Sequence, residues 1–90
     1  MRALPGGLTA YRRTPTFAAD TIPKALLSAH ATKAGIWGVL TVISGHLLLT
    51  VPSIQVQIEV SPGIPCVIEP EVVHFVTRAG PVSFYIEFWK

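Results

Sequence analysis

A chain of 90 residues is long enough for one small domain, and we expect a single domain over residues 1–90 with a loosely held N-terminal segment at 1–10. Half of the residues are hydrophobic and 13% are charged, which excludes a disordered chain. The net charge of +2, spread over scattered basic residues, predicts no nucleic-acid partner. Cys66 is the only cysteine, and no signal-peptide pattern precedes Pro5, so we expect a cytoplasmic protein without a disulfide.

The first third of the chain predicts an edge strand followed by a short helix. Residues 11–17 form the predicted edge strand, because Pro15 has no N–H to donate inside a sheet. Pro23 favours the start of a helix near residues 23–31, with Asp20 or Thr21 as its cap. Gly35 then follows the end of this helix.

Residues 34–51 contain no Asp, Glu, Lys or Arg over eighteen positions, which is long enough for a membrane-spanning helix. Ser44-Gly45 divides this stretch into two short runs rich in β-branched residues. His46 would also lie near the centre of a bilayer without an evident partner. The stretch therefore favours a β-hairpin that turns at Ser44-Gly45, and we expect no membrane partner.

The remaining chain predicts more strands separated by turns. Residues 54–60 alternate strictly between apolar and polar side chains, as in a strand with one exposed face. Residues 61–63 and 78–81 have turn composition, and strands are predicted at 72–77 and 82–89. Short strands at this spacing indicate an antiparallel β-sandwich or barrel.

Several short motifs, weak alone but in a consistent order, resemble the small TehB/YeaR-like family. They are Tyr11-Arg-Arg-Thr-Pro15, His30-x-Thr-Lys-x-Gly-x-Trp-Gly38, Gly45, Pro70-x-x-x-His74 and Phe84-x-x-Glu87-Phe88. This resemblance implies an all-β, single-domain, cupin-type jelly-roll antiparallel β-barrel with one short N-terminal helix. It also implies an association with tellurite resistance. The family occurs alone or beside a methyltransferase, but this chain lacks a glycine-rich nucleotide-binding turn, so we expect no nucleotide cofactor.

The resemblance to cupin motifs marks His30 and His74 as candidate metal ligands. Thr32 stands where a second histidine of the first motif would be, so a third ligand is needed. Glu87 is the best candidate for it, although the pattern of the last strand leaves open which face points inward. Lys33 and Trp37 are candidates for the wall of a ligand pocket.

Two functions of different classes stay open on the sequence alone, and no catalytic residue is assigned. The first is a metal-binding domain that holds zinc, nickel, iron or manganese and acts in oxyanion or oxidative stress. The second is a non-catalytic binding or sensing module in which the histidines form hydrogen bonds to a small molecule. A dimeric accessory domain is a third alternative. A homodimer is expected in each case, because an apolar small domain has surface to spare for an interface.

Overall fold

The computed structural model describes residues 3–90 and shows, over that range, six antiparallel strands and one short helix. Residues 1 and 2, part of the segment expected to be loosely held, lie outside the described residues. The elements in chain order are β1 (Ala10–Arg13), β2 (Phe17–Ala18), α1 (Lys24–Leu27), β3 (Trp37–Val51), a 3₁₀ helix (Pro52–Ile54), β4 (Val56–Val60), β5 (Cys66–Ile68) and β6 (Phe75–Trp89).

The long strands β3 and β6 form the centre of the sheet. They pair antiparallel from Trp37–Trp89 at one end to Thr50–Phe75 at the other. At the first end, β1 and β2 add to β6, and β5 adds to β3; at the second end, β4 adds to β3. The two ends of the pair are therefore flanked by different strands.

The predicted hairpin at Ser44-Gly45 is wrong, because β3 runs straight through it. Gly45 has the left-handed φ of +72° that a turn would need, but it remains paired with Val82 of β6. The register shifts on either side of this step, which is the signature of a β-bulge. A side chain at Gly45 would overlap the carbonyl oxygen of Pro81, so only glycine allows the two strands this approach.

The predicted turn at residues 78–81 is also wrong, since those residues lie inside β6. Four expected short strands are thus two strands of 15 residues each. The prediction of a jelly-roll barrel is also wrong. Within residues 3–90, the strand order β1-β6-β3-β4 ends in two edges and does not close into a barrel. The domain is all-β, as expected, but it is an open antiparallel sheet.

One face of this sheet holds the hydrophobic core. The buried side chains come from both ends of the long strands and form a single cluster, so the sheet curves around it at the central bulges. The cluster contains Ile22, Leu40, Val42, Leu47, Leu49, Val60, Ile68, Val76, Val82, Phe84 and Ile86. The alternation predicted for residues 54–60 is confirmed over β4, where Ile58 packs against this core and Val60 is buried, whereas Gln57 and Glu59 are exposed. It is wrong for Ile54, which is half exposed and belongs to the 3₁₀ helix.

Helix α1 is much shorter than the helix predicted near residues 23–31. No side chain caps its start, where Pro23 takes the cap position, and Ser28 is already extended at its end. The hydroxyl of Thr21 accepts a hydrogen bond from the amide of Ala18 instead of capping the helix. Among the described residues, no helix is long and apolar enough to cross a membrane.

Candidate functional site

His30 and His74 come together through their backbones. The His30 amide donates to the His74 carbonyl at 3.0 Å, and the His74 amide donates to the His30 carbonyl at 2.8 Å. These reciprocal bonds form an isolated antiparallel bridge outside the named strands. Residues that pair in this way point their side chains to the same face, so the bridge places both imidazoles side by side.

The two rings are in direct contact and hydrogen-bond in the same manner. Their centroids lie 4.3 Å apart, with an angle of 62° between the ring planes. His30 Nδ1 lies 2.8 Å from the Ser28 carbonyl oxygen, and His74 Nδ1 lies 2.8 Å from that of Val72. Because a carbonyl oxygen only accepts, each Nδ1 carries a proton. In the neutral ring, Nε2 is then the nitrogen with the free lone pair.

His74 is the more deeply buried histidine, with 3% of its surface exposed. Burial lowers its pKa below the ordinary value of 6.5. The hydrogen bond to the Val72 carbonyl opposes this lowering of the pKa, and the neighbouring His30 adds to it. His74 is therefore neutral at pH 7 and offers a lone pair.

Both histidines line a cavity of about 400 Å³, which we call the histidine cavity. Its wall combines polar side chains with apolar ones from α1, β5 and β6. The lining residues include His30, His74, Arg12, Lys33, Leu26, Gly38, Ile86 and Phe88. Two cationic side chains thus share the cavity with two imidazoles. Within residues 3–90, none of the lining residues carries a carboxylate.

Lys33, a predicted pocket residue, lines the histidine cavity, whereas Trp37 does not. Trp37 is buried at the start of β3, opposite Trp89 of β6. Arg12 also lines the histidine cavity, and nothing in the doublet Arg12-Arg13 by itself distinguishes it from Arg13. Strand alternation is the signal that separates them: Arg13 lies over the ring of Tyr85, with its Cζ 3.5 Å from the ring centroid.

Glu87 is not brought to the histidines. In β6, Val82, Phe84 and Ile86 are buried in the core, so Glu87 lies on the opposite face, paired in register with Val39 and Arg13. It is absent from the lining of the histidine cavity. Across the described residues, no group of three or more His, Cys, Asp or Glu side chains is arranged to hold a metal.

The described residues form an open all-β sheet with a cavity beside a histidine bridge, and comparison with known proteins assigns the chain to a family. The TehB-like domain family matches residues 12–86. The chain therefore belongs to the TehB-like family, which is associated with tellurite resistance. No curated protein sequence matches it.

Two crystal structures share the fold. A protein from Escherichia coli K12 superposes with a TM-score of 0.90 at 22% identity, covering 100% of this chain and 97% of that one. TehB from Haemophilus influenzae superposes with a TM-score of 0.84 at 24% identity, covering 93% of this chain. The match spans 32% of TehB, so the chain corresponds to about a third of that protein.

Proposed function

We propose that this protein is a binding module that holds a small oxyanion, of which tellurite is an example, in the histidine cavity. The observation that carries the proposal is the charge of the lining: Arg12 and Lys33 are cationic, and the imidazoles of His30 and His74 lie in the same wall. A cavity with cations and no carboxylate favours a negative ligand. Its volume also lies within the range typical of small-molecule sites.

The histidines give the site a way to recognise a protonated oxyanion. With Nδ1 bound to a carbonyl, a neutral ring accepts a hydrogen bond at Nε2 from an acidic O–H of the ligand. A protonated ring donates from Nε2 to an oxyanion instead, and its charge then adds to the attraction. In both protonation states of the imidazole, the residues that recognise the ligand are ones that line the cavity.

A resident metal ion fits the same residues less well. The hydrogen bonds from Nδ1 to carbonyls are typical of metal-binding histidines, because they orient Nε2. However, His30 and His74 supply two donors, and a zinc site commonly uses three protein ligands or four. The two imidazoles would hold zinc, nickel, iron or manganese only if water or another ligand completed the coordination.

Titration calorimetry with tellurite, with phosphate as a redox-inert second probe, tests the proposal. Lys33→Met should weaken binding roughly fivefold or more, because it removes one cation from the cavity. Lys24→Met is the matched control, since Lys24 is an exposed lysine that does not line the cavity. Burial raises the pKa of the Cys66 thiol, which limits its reaction with tellurite. Equal affinities for Lys33→Met and wild type would contradict an anion site.

The sign of the pH dependence separates the oxyanion from the metal. Protonated imidazole attracts an anion, so oxyanion affinity should rise as the pH falls below 6.5 toward the lowered pKa of His74. A metal ion competes with protons for Nε2, so zinc affinity should fall over the same range. Tight zinc binding that weakens in acid, together with no binding of tellurite or phosphate, would replace the oxyanion by a metal.

A further inference from the structure

A second cavity of about 320 Å³ adjoins the histidine cavity, and we call it the apolar cavity. The two share a partition formed by Arg12, Leu26, Ile86 and Phe88, each of which lines both. Beyond this partition, the apolar cavity is walled mainly by Pro15, Phe17, Pro23 and Ala25. A ligand that passes the partition would therefore move from a cationic region into an apolar one.

Beyond the partition, Thr14 and Arg13 line the apolar cavity, and both of their side chains are engaged by other parts of the protein. The Thr14 hydroxyl accepts a hydrogen bond from the Ile86 amide at 3.0 Å and donates one to the Pro15 carbonyl at 2.9 Å. The guanidinium of Arg13 lies over the ring of Tyr85. These two side chains make their contacts within the protein, so apart from Arg12 in the partition the surface left for a ligand is apolar.

We infer that the ligand of this site is an amphipathic monocarboxylate, with its carboxylate in the histidine cavity and its hydrocarbon tail in the apolar cavity. The inference rests on the proposed function, because the carboxylate would use the same cationic residues as an oxyanion. It goes further by assigning a second cavity and a ligand class. The charge difference between the two cavities sets the orientation of the ligand.

The test is a homologous series of carboxylates, namely acetate, butyrate, hexanoate and octanoate, with inorganic phosphate as a probe of the head site alone. Each methylene that enters the apolar cavity should raise the affinity roughly two- to fourfold, measured by calorimetry. The gain should appear once the tail is long enough to pass Leu26 and Phe88.

A cavity-filling variant locates the tail. Ala25 is exposed on α1 and lines the apolar cavity, so Ala25→Trp should fill that cavity without disturbing the core. It should reduce the octanoate affinity toward that of butyrate. Ala29→Trp is the matched control: Ala29 is exposed, lines neither cavity, and should keep the full dependence on chain length.

The outcomes separate this inference from the proposed function. If phosphate binds but affinity does not depend on chain length, the amphipathic ligand is overturned and the anion site stands. If the length dependence survives in Ala25→Trp, the tail does not occupy the apolar cavity and the inference is wrong. If no anion in either set binds, the proposed function fails, and the inference fails with it.

Discussion

The two ends of the β3–β6 strand pair differ in how completely their inner face is packed. At the end flanked by β4, Leu47 and Leu49 are fully buried and line neither of the two cavities. At the other end, Ile86 and Gly38 belong to the same sheet but line a cavity, next to the histidine bridge. Both ends therefore contribute to the core, and the end beside β1 and α1 also leaves space for a ligand.

The largest loss of stability is expected from a substitution at the junction between the two ends of the strand pair. Gly45→Ala should lower the free energy of unfolding by more than about 4 kcal/mol, because the new side chain meets the Pro81 backbone at a left-handed φ. Urea denaturation followed by circular dichroism measures the loss.

Gly80→Ala is the control for backbone strain at the same junction. Gly80 has a φ of +105° but open space around it, so only the strain of about 1–3 kcal/mol applies. If the two variants lost equal stability, the close approach of the strands would not be what requires glycine at Gly45.

The next largest loss of stability is expected when a core residue at either end of the strand pair is truncated. Leu49→Ala and Ile86→Ala should each cost about 2–5 kcal/mol, since both side chains are buried. Only Ile86→Ala should change octanoate affinity, because Ile86 lines both cavities. Calorimetry measures the octanoate affinity of both variants, under conditions in which both remain folded. A matching loss of affinity in Leu49→Ala would show that the two ends are not independent.

The smallest effect is a pH dependence confined to the cavity end. The folded pKa of His74 lies below its unfolded value of 6.5, so below that pH the unfolded chain binds more protons than the folded one. Its contribution to stability is therefore fully present above 6.5 and is lost as the pH falls toward the folded pKa. Urea midpoints at about pH 7.5 and about pH 5.5 should show wild type losing stability in acid.

Replacement of the histidines identifies the group responsible for that pH dependence. His74→Gln should lose more of the pH dependence than His46→Gln, because His46 lies outside both cavities. A pH dependence that persists unchanged in His74→Gln would assign it to other groups.

The sequence predicted the strands better than the turns, for a physical reason visible at Gly45. A left-handed glycine beside serine suits a hairpin turn and a β-bulge equally well. The choice between them depends on the carbonyl of Pro81, which lies far away in the chain. The strand ends predicted at Gly45 and Gly80 are wrong because both glycines lie inside long strands, and the barrel prediction is wrong because the sheet keeps two open edges within residues 3–90. By contrast, the alternation in β4 is a local pattern and was read correctly.

The site shows the same division between local and distant information. Motif order suggested that His30 and His74 belong together, but the reciprocal backbone bonds that join them cannot be read from either segment alone. The face of the sheet on which the Glu87 side chain lies depends on which side of β6 is buried. Arg12 was missed because a doublet of like residues hides the alternation that sends the two side chains to opposite faces.

The antiparallel pairing of β3 with β6 also has a consequence for the order of folding. Thr50 and Phe75 close the shortest loop in the pair, whereas Trp37 and Trp89 are separated by about twice as many residues. Since longer loops cost more entropy to close, we expect pairing to begin beside β4 and to proceed toward Trp37 and Trp89. The histidine cavity would then assemble last and open first, so a bound ligand would slow unfolding from that end.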